Sequence, residues 1–185
     1  MIPPGESFAE KFFPVTTSQA FEDASAEERI NMFLSVKTPH DIRFSSQFME
    51  NEVKLHSFKQ TSRDTALAVF KFRISRFYCN GAGNLHGGAQ SFVYDMLTSI
   101  ALSGIGKKDW WLNAGVSRSL NVTYLRPAPE GTDVLCEVEV MSAGKKMALT
   151  RGVIKRESDG LVYSTCEHDK AAVAAKAGTD VQSKL

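Results

Sequence analysis

Between Gly87 and Gly106 the chain carries a single charged side chain, Asp95, set among Phe92, Val93, Met96, Leu97, Ile100 and Leu102. A carboxylate in apolar surroundings is costly unless it is hydrogen-bonded or its pKa rises. Proteins keep such a group for a partner or for chemistry, so Asp95 reads either as a structural acid bonded to a neighbouring strand or as a base or nucleophile. Just before it runs Asn80-Gly81-Ala82-Gly83-Asn84-Leu85-His86-Gly87-Gly88. The first N–H groups of a helix lack intrahelical acceptors and carry partial positive charge. Glycine there has no Cβ to block the approach of a ligand oxygen, so Gly87 and Gly88 can form an oxyanion-binding helix start. The plainer alternative is a tight strand-to-helix turn that needs glycine.

Spacing links the two features. Eight residues of helix separate Gly87 from Asp95, about 12 Å along the axis. One tetrahedral carbon cannot touch both on the same helix. If both serve one substrate, the acid comes from a second copy whose helix lies antiparallel alongside, and the site is shared across a two-fold axis.

The elements needed to hold these residues follow from periodicity. Ser25-Ala26-Glu27-Glu28 fits a capping box, and Ile30, Phe33 and Leu34 give the next helix one apolar face. His40-Asp41 falls in a connecting loop. From Val53 the pattern turns to strands, with Leu67, Val69, Phe70, Phe72 and Ile74 between turn-like segments. The long helix runs from about Gly87 to Ser103, and Gly104 and Gly106 end it. Val116, Leu120, Val122 and Tyr124 then alternate with polar residues as a half-buried strand, stopped by Arg126-Pro127. Val134, Cys136, Val138 and Val140 form the next strand, Met147–Arg156 returns, and Asp159-Gly160 turns into a last strand ending at Glu167. A helix apolar nearly all round must be covered on most sides, which one curved antiparallel sheet can do. The expected class is therefore α+β. Residues 1–48 read as a helical extension, 49–170 as the main domain and 171–185 as a tail.

Composition bounds the partners. A chain of 185 residues with formal net charge +1 gives no footing for nucleic acid. Cys79, Cys136 and Cys166 are odd in number and lack metal spacing, as reduced, buried thiols would be. His40, His56, His86 and His168 also lack ligand spacing, so no metal or cofactor is expected, and His86 is read as shaping the turn. Gln90, Asp95 and several hydroxyls argue against a membrane span at 87–106. The N-terminal stretch has no signal-peptide pattern. The chain ends in Ser183-Lys184-Leu185, the tripeptide that peroxisomal import receptors read at a C-terminus.

Asn80, His86-Gly87-Gly88, Asp95 and the run Val116-Ser117 through Leu120-Asn121-Val122-Thr123-Tyr124-Leu125-Arg126-Pro127-Ala128 together resemble the hotdog-fold acyl-CoA thioesterases, over about Val53 to His168. The nearest branch is that of the phenylacetyl-CoA thioesterase-like and thioesterase superfamily member proteins. The resemblance implies a long central helix wrapped by a curved antiparallel sheet, and a homodimer or dimer of dimers acting on acyl-CoA without a cofactor. It implies that Gly87 offers its N–H to the thioester carbonyl and that Asn80 helps position that group. His86 and Gly88 would complete the substrate-binding turn. Asp95 from the neighbouring subunit would attack or activate water, with Ser117 holding that water or the carboxylate. General-base and nucleophilic routes both remain open.

Two positions depart from the resemblance: Ser119 stands where an acidic residue is frequent, and Arg118 where a small apolar one is, so substrate preference is open. Arg126, Lys145, Lys146, Lys155 and Arg156 are candidates to meet coenzyme A phosphates. Two other readings fit the same pocket: an accessory acyl-thioester-binding protein, and an enoyl-thioester hydratase or dehydratase, whose usual Asp-to-His loop motif is missing.

Overall fold

Residues 15–16, 18–36, 44–51 and 53–173 are described in the computed structural model of the chain. His40-Asp41 and the terminal Ser183-Lys184-Leu185 lie outside the described residues. Three helices come first: α1 (Gln19–Asp23), α2 (Ala26–Ser35) and α3 (Phe44–Asn51). Strands β1 (Lys54–Gln60) and β2 (Ala66–Arg73) lead through a 3-10 turn at Arg76–Tyr78 to the long helix α4 (Gly87–Ile105). Then follow β3 (Val116–Tyr124), β4 (Asp133–Ala143), β5 (Met147–Arg156) and β6 (Val162–Ala171).

All neighbouring strands are antiparallel, and the six form one sheet in the order β1-β2-β4-β5-β6-β3. Its inner face wraps α4, which packs against β2, β3, β4, β5 and β6 and against α2 from the extension. The alternation read from the sequence sets that face: Ala66, Ala68, Phe70 and Phe72 of β2 and Val134, Cys136, Val138 and Val140 of β4 are buried.

Tyr94 pins the helix to the sheet. Its hydroxyl lies 2.8 Å from Ser164 Oγ and accepts from the Ile154 N–H at 3.0 Å. Gly152 makes room for the ring, since a Cβ there would stand 2.6 Å from it. The far end of α4 is held by the extension. Arg29 of α2, whose capping box is formed as read from Ser25 and Glu28, donates to Gly104 O at 2.7 Å and to Ala24 O at 2.9 Å.

Two expectations need correction. The last strand does not end at Glu167 but runs on to Ala171, because β3 and β5 flank it as far as Ala171 and supply backbone partners on both sides. The strand from Val116 is an edge strand, so its apolar face is covered only in part: Leu120 and Val122 are half-buried, while Val116 and Tyr124 are 51% and 50% exposed.

Candidate active site

The segment before α4 is shaped by its own side chains. Asn80 Oδ1 accepts from the Ala82 N–H at 3.0 Å and the Asn84 N–H at 3.2 Å, and Gly83 takes a positive φ of 73° that closes the turn. This uses the carboxamide oxygen of Asn80 and leaves the Nδ2 of this exposed side chain without a hydrogen-bond partner among the described residues.

His86 is the N-cap of α4, and its Nδ1 accepts from the Gly88 N–H at 3.0 Å. That cap occupies Gly88, so of the two glycine N–H groups only that of Gly87 is without an acceptor among the described residues. The glycine pair thus offers one free backbone donor rather than two. Tyr124 closes over Gly87: its hydroxyl donates to Gly87 O at 2.9 Å, and a Cβ on Gly87 would meet the ring at 3.3 Å. Beside this turn lies a cavity of about 390 Å³, walled by Phe44, Phe77, Tyr78, Cys79 and Phe92 and bordered by His86 and Gly88. Phe44 comes from α3 and stands edge-to-face against Phe92 and Tyr78, with ring centroids 4.7 and 4.9 Å away.

Two turns along α4 is the carboxylate. Asp95 lies on a stripe with Gly88, Ser91, Phe92, Met96 and Ser99, none of them buried, along the part-exposed side of the helix. The Asp95 side chain is 42% exposed. Ser117 of β3 donates to Asp95 Oδ1 at 2.6 Å, while Oδ2 has no partner among the described residues. Within one protomer the fold therefore assembles Asp95 with Ser117, and separately Asn80, His86, Gly87 and Gly88. The two groups sit at different heights of the same helix, about 12 Å apart by helical rise.

The strand residues beyond Glu167 add what the sequence reading left out. His168 and Lys170 are 0% and 2% exposed and face α4 under Asp95. Thr98 Oγ1 lies 2.6 Å from Tyr94 O and 2.6 Å from His168 Nδ1. A carbonyl only accepts, so the threonine proton goes to Tyr94 O, and the ring must donate from Nδ1 to the threonine oxygen. The neutral ring then turns a bare Nε2 toward Asp95 Oδ1 at 3.4 Å, with no hydrogen-bond partner among the described residues. Burial first, and the nearby Lys170 charge second, pull the His168 pKa down to about 4, outweighing Asp95. Lys170 Nζ donates to Ser99 Oγ at 2.7 Å and toward Ser117 Oγ at 3.4 Å. Burial lowers its pKa, and Asp95 works in the opposite direction. The inward alternation Ser164, Cys166, His168, Lys170 was the available signal, and it needed only a longer strand.

Among the basic candidates, Lys155 is paired with Glu137 at 2.7 Å and Arg156 with Asp159 at 2.5 Å. Arg126 donates to Val162 O at 2.9 Å. Lys145 and Lys146 are exposed in the β4–β5 turn. Ser119 Oγ donates to Asp169 Oδ2 at 3.2 Å on β6, and the Arg118 guanidinium lies 3.9 Å from Met147 Sδ.

A central helix wrapped by a six-stranded antiparallel sheet defines the hotdog fold. Residues 82–163 match the family model of the thioesterase superfamily. Human acyl-coenzyme A thioesterase 13 is 26% identical over 102 residues, which are 55% of this chain and 70% of that one. The crystal structure of thioesterase superfamily member 2 from Mus musculus superposes with a TM-score of 0.63 at 19% identity, covering 81% of this chain and 99% of that one. A hypothetical thioesterase protein from Streptococcus pneumoniae, crystallised with coenzyme A, gives 0.57 at 13% identity over 69% of this chain and 94% of that one.

Proposed function

We propose that the chain is an acyl-CoA thioesterase that hydrolyses a thioester to the free acid and coenzyme A, working as a homodimer whose sites each draw on both subunits. The superfamily match and the acyl-coenzyme A thioesterase among its relatives support a thioester hydrolase. A coenzyme A-bound neighbour on the same fold supports the choice of thioester. The observation that carries the reading is the half-exposed Asp95 carboxylate, held on one oxygen by Ser117 and open on the other.

In this reading the acyl carbonyl lies against the Gly87 N–H and the Asn80 amide, which stabilise the oxyanion as charge develops. The acyl group enters the aromatic-walled cavity beside that turn. Asp95 of the second subunit takes a proton from water as the water attacks, or attacks directly to give a mixed anhydride that water then opens. The thiolate of coenzyme A leaves in either case. The terminal Ser183-Lys184-Leu185 would direct the enzyme to peroxisomes by way of an import receptor. Dimers of this kind would pair further into tetramers.

The experiment is thiol release from acyl-CoA of graded chain length. Asp95→Ala should lose about 10²–10⁴-fold in kcat with its assembly unchanged by sedimentation. Full turnover in that variant rejects the assignment. Ligand binding without turnover in the unaltered protein, across every chain length, leaves an accessory binding protein instead.

A further inference from the structure

We infer that Lys170 is a positioning residue that clamps Asp95 at two points, its carboxylate through Ser117 and its main-chain carbonyl through Ser99; this rests on the thioesterase reading of Asp95. An ammonium that is 2% exposed is costly and calls for a physical return. The directions of its hydrogen bonds show one. The Ser117 hydroxyl has a single proton, and at 2.6 Å it goes to Asp95 Oδ1, because a carboxylate only accepts. The lone pairs of Ser117 Oγ are then free to face Lys170 Nζ at 3.4 Å. The Ser99 hydroxyl donates to Asp95 O at 2.6 Å, and its oxygen in turn accepts from Lys170 at 2.7 Å.

Both donor chains start on one ammonium and end on one residue. One fixes the carboxylate rotamer and commits Oδ1, which leaves Oδ2 as the oxygen that meets water. The other holds the helix backbone at Asp95, where a carbonyl already serves an α-helical turn. A lysine suits this role because its three N–H donors and flexible stem can serve two hydroxyls at unequal distance.

The charge has a second consequence. The groups facing Asp95 are His168 and Lys170 from β6 and Ser117 from β3, and α4 brings no other charge. On β5 the residue opposite Lys170 is Ala148, which does not titrate. His168 is neutral at ordinary pH, so Lys170 is the cation beside Asp95, and the attraction of the carboxylate works against the burial that lowers the lysine pKa.

The test is steady-state thiol release by Lys170→Met. Expected is a fall in kcat of about ten- to a hundredfold with KM nearly unchanged. Lys170→Gln keeps a donor for the serines without the charge. It should lose less kcat, and it serves if the methionine variant is too unstable to purify. The side-chain rotamer of Asp95, read from NMR couplings, reports on the clamp without turnover: it should be single in the unaltered protein and averaged in Lys170→Met. If kcat and the rotamer stay as they are in the unaltered protein, Lys170 only packs and the clamp is rejected. A protein that releases no thiol from any acyl-CoA would instead overturn the functional reading, while the rotamer measurement still decides the clamp.

Discussion

His168 ties the local chemistry of the site to the stability of the fold. Its ring is fully buried, and its folded pKa of about 4 lies below the ordinary value of 6.5. The neutral ring is therefore favoured by the fold, and the unfolded chain binds a proton first as the medium is acidified. The resulting stability is fully present above pH 6.5 and is lost as pH falls through that value toward 4, a span of roughly 3 kcal/mol at one unit per 1.36 kcal/mol. Urea unfolding at stepped pH should show this slope, and His168→Gln, measured against the same pH series, should flatten it. A slope of unchanged size in that variant would assign the acid sensitivity to other groups. None of this was legible while the last strand was ended at Glu167. Asp95 was found because a lone charge in an apolar helix stands out, whereas His168 and Lys170 sit in CEHDKA, where charges on both sides of the strand disguise the inward alternation.

At the scale of elements, the sequence carried the order of helix and strands, because capping at Ser25, alternation in β4 and glycine at the helix ends are local signals. It did not carry which strand lies at the edge. Edge position depends on pairing partners far along the chain, and only the sheet order reveals that β3 has a single neighbour, β6. The same holds for the extension, which lies outside the matched segment 82–163 but touches the far end of α4 through Arg29. Arg29 is buried and gives charged hydrogen bonds to Gly104 O and Ala24 O, so it joins α4 to the turn between α1 and α2. Arg29→Ala would leave those carbonyls short of donors in an enclosed place, at a cost of about 2 kcal/mol. A drop in the urea midpoint with an unchanged slope would bear this out. A midpoint equal to that of the unaltered protein would mean that water replaces the guanidinium and that the extension is only loosely joined. Phe44 of the extension also lines the cavity beside the Gly87 turn, so under the proposed function loosening α2 and α3 should alter which acyl groups are accepted.

For the whole molecule the decisive fact is the height difference along α4, with Gly87 at its first residue and Asp95 eight residues on. Within one protomer Asp95 stands about 12 Å along the helix from the Gly87 turn, too far for both to serve one carbonyl. The part-exposed stripe of α4 runs from Gly88 past Asp95, so a second α4 laid antiparallel along it would bring each turn to the partner's acid. The part-covered edge strand β3, with Val116 and Tyr124 exposed, lies on the same side through Ser117 and Tyr124. Complementation tests this arrangement without a structure of the dimer. Asp95→Ala removes the acid and leaves the turn. Asn80→Asp keeps the oxygen that accepts from Ala82 and Asn84 but removes the amide donor, so the loop should persist while the oxyanion loses a partner. Each variant alone should be nearly inactive. When equal amounts are mixed and allowed to exchange subunits, about half of the dimers are hybrids, and each hybrid has one site with both an intact Asn80 and an intact Asp95. Thiol release should therefore recover to about one quarter of the unaltered rate, because one site in four is whole. If each active centre were instead contained within one chain, every site in the mixture would lack one group or the other, and the rate would stay at the level of the two variants measured apart.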